Sequence, residues 1–246
     1  MEIKKLQIGD LNLHYAEFED FAVYLSGHLK FSNKQLIIVH INLRNYYFMN
    51  KDNTLYDNIK NNSIAVFEGI GLKMCAALKG FGFISDLNGT DLFPLFMKLT
   101  ERTGHKFFLL GGSEKSLAGT IEHIHQNYPQ VNITGSHNGY FDEKKEAEIV
   151  KFINKSCADV LLISMGFPLQ EKFVFKYRDK LNVSLIWNLG GLFDFLSGLK
   201  PRAPAIIRRM RFEWLYRFVK EPIRMFHRNT VSAVWSVGKI LLIKKQ

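Results

Sequence analysis

Short apolar runs rich in β-branched residues alternate along the chain with longer, more polar stretches. Such runs are typical of parallel strands that are buried on both faces, and the stretches between them have the length of helices. Strands are predicted at residues 35–41, 63–67, 106–110, 131–135, 159–164 and 183–188. Helices are predicted at residues 45–62, 72–78, 113–128, 143–155 and 170–180. The pattern predicts an α/β fold with a doubly wound, mostly parallel, Rossmann-like sheet.

The alternation of strands and helices ends near residue 199, and a basic segment with helical character follows. From Lys200 onward there are twelve Lys and Arg residues but only two acidic ones, Glu213 and Glu221. The formal net charge of +10 comes entirely from this segment, because the first 199 residues hold 21 basic and 21 acidic side chains. We predict an α/β body at 1–199 and a basic helical appendage at 200–246. So much positive charge implies a polyanionic partner, which is nucleic acid, anionic lipid or a diphosphate.

Cysteine usage and hydropathy indicate the cellular compartment of the protein and its relation to the membrane. Cys75 and Cys157 lie in apolar segments without the spacing of a disulfide framework or a metal site, which fits a reducing cytoplasmic setting. The N-terminal segment has no apolar core of a signal peptide. The apolar run 231–243 is shorter than the ~20 residues of a spanning helix and contains Lys239. We expect a protein that is soluble or lies on a membrane without crossing it.

Several predicted strands run directly into glycine. The glycines are Gly69, Gly71, Gly111, Gly112, Gly166, Gly190 and Gly191. In open α/β sheets, ligands bind beyond the carboxyl ends of the strands, so these turns are candidates for ligand contact. Turns from strand to helix also use glycine for geometry alone. No P-loop and no dinucleotide fingerprint is present, which disfavours an NTPase or a classical dinucleotide enzyme.

Polar residues at the ends of the first two predicted strands are candidates for catalysis. Glu68 follows the strand 63–67 and could act as a general base towards a hydroxyl. Its alternative role is to cap the next helix or interact with that helix's dipole. Asn42 and His40 lie at the end of the strand 35–41. A histidine in an apolar strand is either a core residue or a functional one.

Further candidates lie near later helix starts. Gln170 and Glu171 could bind a sugar or an amide, whereas a Glu at this position also suits the helix dipole. Asp194 either belongs to the site or caps and braces the backbone. No D-x-D pair and no His/Cys ligand spacing is present, so we expect neither a metal that bridges nucleotide phosphates nor another cofactor.

An ordered set of motifs resembles a known family. The motifs are residues 106–141, DVLLISMGFPLQEK at 159–172, NLGGLFDFLSG at 188–198, RAP at 202–204, EWLYR at 213–217 and EPIR at 221–224. Together, over roughly residues 10 to 228, they resemble the WecG/TagA/CpsF family of bacterial glycosyltransferases, which is glycosyltransferase family 26.

The resemblance implies an activity. It is the inverting, metal-independent transfer of a sugar from a UDP-sugar to a polyprenyl-diphosphate-linked sugar, at the inner face of the cell membrane, in surface-polysaccharide synthesis. The family's general base is the Asp of a P-D-G-x-G turn, and Glu68 occupies that position here with one more methylene. The family's helper Thr falls on His40, whereas Asn42 and Gln170 match. The other residues expected to bind substrate are Gly69, Gly71, Gly111, Gly112, Tyr140, Gly166, Glu171, Gly190, Gly191, Asp194, Arg217 and Arg224.

The resemblance also divides the roles of the basic appendage. Arg217 and Arg224 match the family's appendage arginines and are expected to face the leaving diphosphate, because a guanidinium binds phosphate oxygens in pairs. The other arginines of the stretch 208–228 are expected to meet anionic lipid, and nucleic acid is not an expected partner. A homo-oligomer is compatible with the sequence. The alternatives are a catalytically inactive membrane scaffold, suggested by the departures at His40 and Glu68, and a nucleic-acid-binding module.

Overall fold

A computed structural model describes residues 3–8, 11–32, 34–82, 84–201 and 222–243. Its centre is one eight-stranded sheet with the strand order β1-β2-β4-β3-β8-β7-β5-β6. The strands are β1 (Lys4–Ile8), β2 (Leu11–Tyr15), β3 (Leu36–Ile41), β4 (Ile64–Phe67), β5 (Lys106–Gly111), β6 (Asn132–His137), β7 (Val160–Ser164) and β8 (Leu185–Asn188). All neighbouring strands are parallel except β1 and β2, which pair antiparallel. The predicted mostly parallel sheet is therefore confirmed.

Helices cover both faces of the sheet. They are α1 (Phe18–Phe31), α2 (Leu43–Met49), α3 (Asn53–Asn62), α4 (Ile70–Leu78), α5 (Gly89–Thr100), α6 (Glu114–Asn127), α7 (Glu146–Lys155), α8 (Leu169–Tyr177), α9 (Leu192–Leu196) and α10 (Pro222–Leu242). Strand β3 contributes Val39 and Ile41 to the core beneath α2, α3, α4, α7, α8 and α10. Its residue Ile38 belongs to the opposite core, beneath α1, α5, α6 and α9. Burial on both faces is why the central strands have no polar face.

The predicted single helix at 45–62 is wrong, because the chain forms two helices there. The first, α2, begins after Asn42, whose side-chain oxygen accepts a hydrogen bond from the Asn45 amide at 3.0 Å. The second, α3, begins after Asp52, whose carboxylate accepts from the Leu55 amide at 3.0 Å. Side chains of this type satisfy the free amides of a helix start, so Asp52 begins a new helix instead of continuing the old one.

The C-terminal helix α10 packs on α2 and α4. Ser236 Oγ donates to the Leu43 carbonyl at 2.7 Å, and Ile240 is fully buried in the core. The Trp235 ring meets Tyr47 edge-on, with 5.2 Å between ring centroids. The boundary that we predicted near residue 199 stays a prediction. Within the described ranges, no helix is long and apolar enough to span a membrane.

Candidate active site

Glu68 and Asn42 meet at the carboxyl edge of the sheet. Strands β3 and β4 pair in parallel with Ile41 opposite Phe67, so the residues that follow them are neighbours. The Glu68 amide donates to the Ile41 carbonyl at 2.9 Å, which fixes the backbone. Asn42 Nδ2 then donates to Glu68 Oε2 at 3.4 Å. The structure thus brings together two of the three residues predicted to be catalytic, and both are only half-buried.

Glu68 lies one residue before the N-cap position of the helix that follows it. The N-cap position of α4 is occupied by Gly69, with φ of 90°. A residue with a Cβ rarely adopts this backbone conformation, so the turn needs glycine. Glu68 therefore does not occupy the N-cap position itself, and an interaction of its carboxylate with the start or the dipole of α4 stays a prediction.

His40 lies behind this pair and is not suited to proton exchange near neutral pH. Its ring is buried, and Trp187 Nε1 donates to its Nε2 at 2.9 Å. Burial lowers the pKa of His40 from 6.5 to about 4, although the charge of Asp86 and the backbone of Leu87 act in the opposite direction. A neutral imidazole that accepts at Nε2 carries its proton on Nδ1. The predicted catalytic role of His40 stays a prediction, and the contacts favour a structural one.

The predicted glycines divide into two groups. Counting only the residues that the structure describes, an added Cβ would meet no atom within 4 Å at Gly166, Gly190 and Gly191, and at Gly69 only Asn42 Cβ at 3.7 Å. These turns therefore leave room for a ligand to approach the backbone. The other group is needed for packing, because a Cβ would collide with Leu43 at Gly71, with the Ser164 backbone at Gly111 and with Ser116 at Gly112.

The turn after β5 offers fewer amides than the sequence suggested. The Gly112 amide donates to the Ser164 carbonyl at 2.9 Å, so it is unsuitable as a donor to a diphosphate. Helix α6 begins directly after the turn, capped by Ser113, whose hydroxyl accepts from the Ser116 amide at 3.1 Å. The first amides of a helix lack partners within the helix, so the start of α6 is a candidate source of donors.

Gln170 and Glu171 lie beneath the glycine loops. Gln170 Oε1 accepts from the Gly166 amide and from the Gly190 amide, each at 3.1 Å. Gln170 Nε2 donates to Glu171 Oε1 at 2.8 Å. Both side chains are almost completely buried, with exposed fractions of 3% and 1%. Their predicted substrate contacts stay predictions, and the contacts present are with the protein itself.

Burial raises the pKa of Glu171 to about 7. The Gln170 amide, the backbone and the Asn188 amide act in the opposite direction. Within the described chain, however, neither polar atom of the Asn188 side chain has a hydrogen bond of normal geometry, and the same is true of Glu171 Oε2. A carboxyl group in such a position keeps its proton to higher pH, because burial disfavours the charged form.

The Asp194 carboxylate is bonded to neighbouring side chains, whereas Tyr140 is largely exposed. Asp194 Oδ1 accepts from Ser116 Oγ at 2.9 Å, and the other carboxylate oxygen pairs with Lys200. Asp194 therefore braces α6 against α9, as its structural interpretation expects. Tyr140 is 80% exposed. Its neighbour Gly139 donates to the Gly112 carbonyl at 2.8 Å, which holds the loop beside the turn after β5.

Several residues near the site were missed by sequence reasoning. Ser164 Oγ donates to the Gly190 carbonyl at 2.8 Å and accepts from the Phe193 amide at 3.2 Å. A polar residue at the end of an otherwise apolar strand was the available signal. Lys73 lies one turn into α4 and is 2% exposed. A lysine inside the apolar sequence IGLKMCAAL could have been noticed, whereas nothing marks Trp187 as the partner of His40.

The remaining predictions concern the appendage and metal ions. Arg217 lies outside the described residues, as does most of the stretch 208–228, and Arg224 lies in the first turn of α10. The predicted diphosphate contacts of both arginines stay predictions. In the part of the chain that the structure describes, no group of three or more His, Cys, Asp or Glu side chains could hold a metal ion.

Comparison with known proteins shows the family of this chain. The model of the family described as "Glycosyl transferase WecG/TagA/CpsF family" matches residues 6–246. A Bacillus spizizenii protein named N-acetylglucosaminyldiphosphoundecaprenol N-acetyl-beta-D-mannosaminyltransferase is 30% identical over 218 residues, which cover 88% of this chain and 84% of that protein. A Bacillus subtilis protein of the same name is 28% identical over 204 residues, which cover 83% of this chain and 79% of that protein. This chain therefore belongs to the WecG/TagA/CpsF family of glycosyltransferases.

Proposed function

We propose that this glycosyltransferase is inverting and metal-independent and moves a sugar from a UDP-sugar to a polyprenyl-diphosphate-linked sugar. The observation that carries the proposal is the Glu68 carboxylate, oriented by Asn42 at the carboxyl edge of the sheet. The two relatives' names describe a mannosaminyl group transferred to an acceptor of this class. An assay with a panel of UDP-sugars identifies the sugar that this chain transfers.

The geometry supports a single displacement. Glu68 takes the proton of an acceptor hydroxyl while that oxygen attacks the anomeric carbon from the face opposite UDP. The bond from the anomeric carbon to the UDP oxygen breaks, and UDP leaves with the electron pair. One displacement inverts the configuration at the anomeric carbon. Asn42 Nδ2 holds the carboxylate in a fixed direction, because the side-chain oxygen of Asn42 is occupied by the cap of α2.

The leaving diphosphate needs donors, and we assign this role to groups of the chain itself. The start of α6 offers amides that have no partner within the helix and the positive end of a helix dipole. Arg217 and Arg224 are the proposed side-chain donors. Planar guanidinium groups hold phosphate oxygens in pairs and stay charged, so together with the helix they replace the usual divalent cation.

The proposal places the protein on the inner face of the cell membrane, bound through residues 200–246. Their excess of Lys and Arg attracts anionic lipid. The outward face of α10 supports this placement, since the apolar side chains of Val231, Val234 and Leu242 are 68%, 70% and 84% exposed. The face that packs on the body carries the buried residues Ser232, Ser236 and Ile240. An apolar face turned outward is typical of contact with a membrane or a partner.

Purified enzyme is assayed with a panel of UDP-sugars and synthetic lipid-diphosphate sugars, with EDTA and with vesicles of anionic or neutral lipid. We expect transfer with at least one pair, unaffected by EDTA and faster on anionic vesicles. Glu68→Gln should lower kcat by about 10²-fold to 10⁴-fold and leave UDP binding unchanged, because only the base is lost. The control is Glu148→Gln, which neutralises an exposed carboxylate on α7.

Two outcomes contradict the proposal. Equal transfer by wild type and Glu68→Gln means that Glu68 is not the base. No transfer with any pair on either kind of vesicle favours an inactive scaffold.

A further inference from the structure

The two loops that follow β7 and β8 are joined by one side chain. Gln170 Oε1 accepts from the Gly166 amide in the first loop and from the Gly190 amide in the second, each at 3.1 Å. At both glycines, an added Cβ would meet no atom of the described residues within 4 Å. The backbone that a ligand can approach is therefore held by Gln170 from beneath.

Glu171 decides which way the Gln170 amide faces. An amide has one acceptor end and one donor end, and the two loop amides require the acceptor end. The donor end, Nε2, then needs an acceptor of its own, which Glu171 Oε1 supplies at 2.8 Å. Without that acceptor a buried N–H group would be left unpaired, and such a loss costs more than the bond itself is worth. Glu171 is 1% exposed, so water is not at hand to replace it.

The loops lie on the path of the donor. In the sheet, β8 and β7 stand between β3, which is followed by Asn42, and β5, which leads into α6. A UDP-sugar whose anomeric carbon lies at Glu68 and whose nucleotide extends towards α6 must cross the loops that follow β8 and β7. Neighbouring strands are about 4.8 Å apart, so each loop spans a part of the donor the size of a phosphate or a sugar ring.

We propose that Glu171 is a positioning residue of the donor site, which sets the Gln170 amide and through it the two glycine loops. The inference rests on the proposed function, since it assigns the loops to the donor. Glu171 touches no substrate in this role. Its effect is to keep the Gly166 and Gly190 backbones in the places that the donor requires.

The first test needs no substrate. Protein labelled with 15N-glycine is used to measure amide hydrogen exchange at Gly166 and Gly190 by NMR at fixed pH. Both amides should be protected in the wild type and in Glu171→Gln, whose side-chain oxygen can still accept from Gln170. In Glu171→Met, which lacks an acceptor of similar reach, both should exchange about tenfold faster, as expected when one hydrogen bond is weakened. Thermal unfolding first shows that each variant is folded, and Glu148→Gln is the control.

The second test is kinetic. Glu171→Met should lower kcat/KM for the UDP-sugar by about tenfold while the KM for the acceptor stays within about twofold, because only donor contacts are displaced. Glu171→Gln should keep the wild-type kcat/KM for the UDP-sugar, because its side-chain oxygen can still accept from Gln170. A purely structural role would not separate donor from acceptor in this way.

The outcomes separate the two proposals. Gly166 or Gly190 amides that exchange freely in the wild type overturn the positioning role, and this result does not depend on any variant folding. A folded Glu171→Met that keeps both amides protected overturns it too. If the amides respond as expected but no UDP-sugar is turned over, the link from Glu171 to the loops stands and the proposed function fails.

Discussion

Asn42 Nδ2 donates to Glu68 Oε2 at 3.4 Å, while Asn42 Oδ1 accepts from the Asn45 amide at 3.0 Å. One side chain thus starts helix α2 and orients the proposed base. The two roles can be separated, because a serine at position 42 would still cap the helix but would not reach Glu68.

We therefore expect Asn42→Ser to keep most of the stability and lose activity. Asn42→Ala should also lose the cap and cost about 1 kcal/mol of unfolding free energy. Both variants should lower kcat by roughly tenfold, the effect of one lost hydrogen bond to a charged group. Urea unfolding and the transfer assay measure the two effects. If Asn42→Ser transfers sugar as fast as the wild type, the contact with Glu68 has no role in catalysis.

The length of Glu68 gives a second prediction. The family has Asp at this position, so Glu68→Asp restores the family residue in a site built around a longer side chain. Shortening the side chain by one methylene withdraws the carboxylate from Asn42 by roughly 1.3–1.5 Å. We expect kcat to fall by about tenfold, far less than in Glu68→Gln, because a base is still present. A Glu68→Asp enzyme as slow as Glu68→Gln would show that the reach of the carboxylate is as important as its charge.

The sequence predicts the central sheet well and the edges less well. Six strands follow from apolar runs, because strands covered on both faces need no polar face. The hairpin β1–β2 was missed, although Leu6, Ile8, Leu11 and Leu13 alternate with polar residues and are buried. Alternation over so few residues is a weak signal. The division of the helix at 45–62 was missed, although Asp52 is a residue type that often begins a helix.

The site shows a similar limit. Glu68 and Asn42 were predicted because each directly follows a strand, so their positions depend on local sequence. The partners of His40 and Gln170 depend on strand order instead. Trp187 reaches His40 because β8 pairs with β3, and Gln170 joins two loops because β7 pairs with β8. Hydrophobic periodicity contains no information on which strands are neighbours, so these contacts could not be predicted.

The buried groups His40 and Glu171 should change the stability with pH in opposite directions. His40 has a pKa lowered to about 4, so the unfolded chain binds its proton first as the pH falls below about 6.5. Stability due to His40 is therefore lost as the pH falls from about 6.5 to 4. Glu171 has a pKa raised to about 7, so the folded chain keeps a proton that the unfolded chain releases near pH 4.5. Stability due to Glu171 is lost as the pH rises from about 4.5 to 7, and each effect is worth about 3 kcal/mol.

Because these windows overlap, the wild type should change little in stability between about pH 4.5 and 6.5 on account of this pair. Removing one of the two groups should reveal the pH dependence of stability that the other causes. We expect His40→Gln to become less stable as the pH rises through this range, and Glu171→Gln to become more stable. Urea unfolding at several pH values measures both slopes. Parallel curves for the wild type and the two variants would contradict the assigned pKa directions.

The last prediction concerns the contacts that hold α10 on the body. Trp235 lies between the rings of Tyr46 and Tyr47, with centroid distances of 6.5 and 5.2 Å, and the Lys51 and Lys239 ammonium groups lie over its own ring. Ser236 in the next position bonds to Leu43, the first residue of α2. The docking of α10 is therefore connected to the helix that Asn42 caps.

Replacing Trp235 by Ala should cost about 2 kcal/mol, less than for a fully buried tryptophan, because the ring is half-buried. We also expect kcat to fall by severalfold, because α2 loses support beside Asn42. Val234→Ala is the matched control, since Val234 is 70% exposed on the outward side of the same helix. It should unfold as the wild type does and, in the absence of lipid, transfer sugar at the same rate. If Trp235→Ala loses stability but keeps full activity, α10 supports the fold and has no influence on the orientation of Glu68.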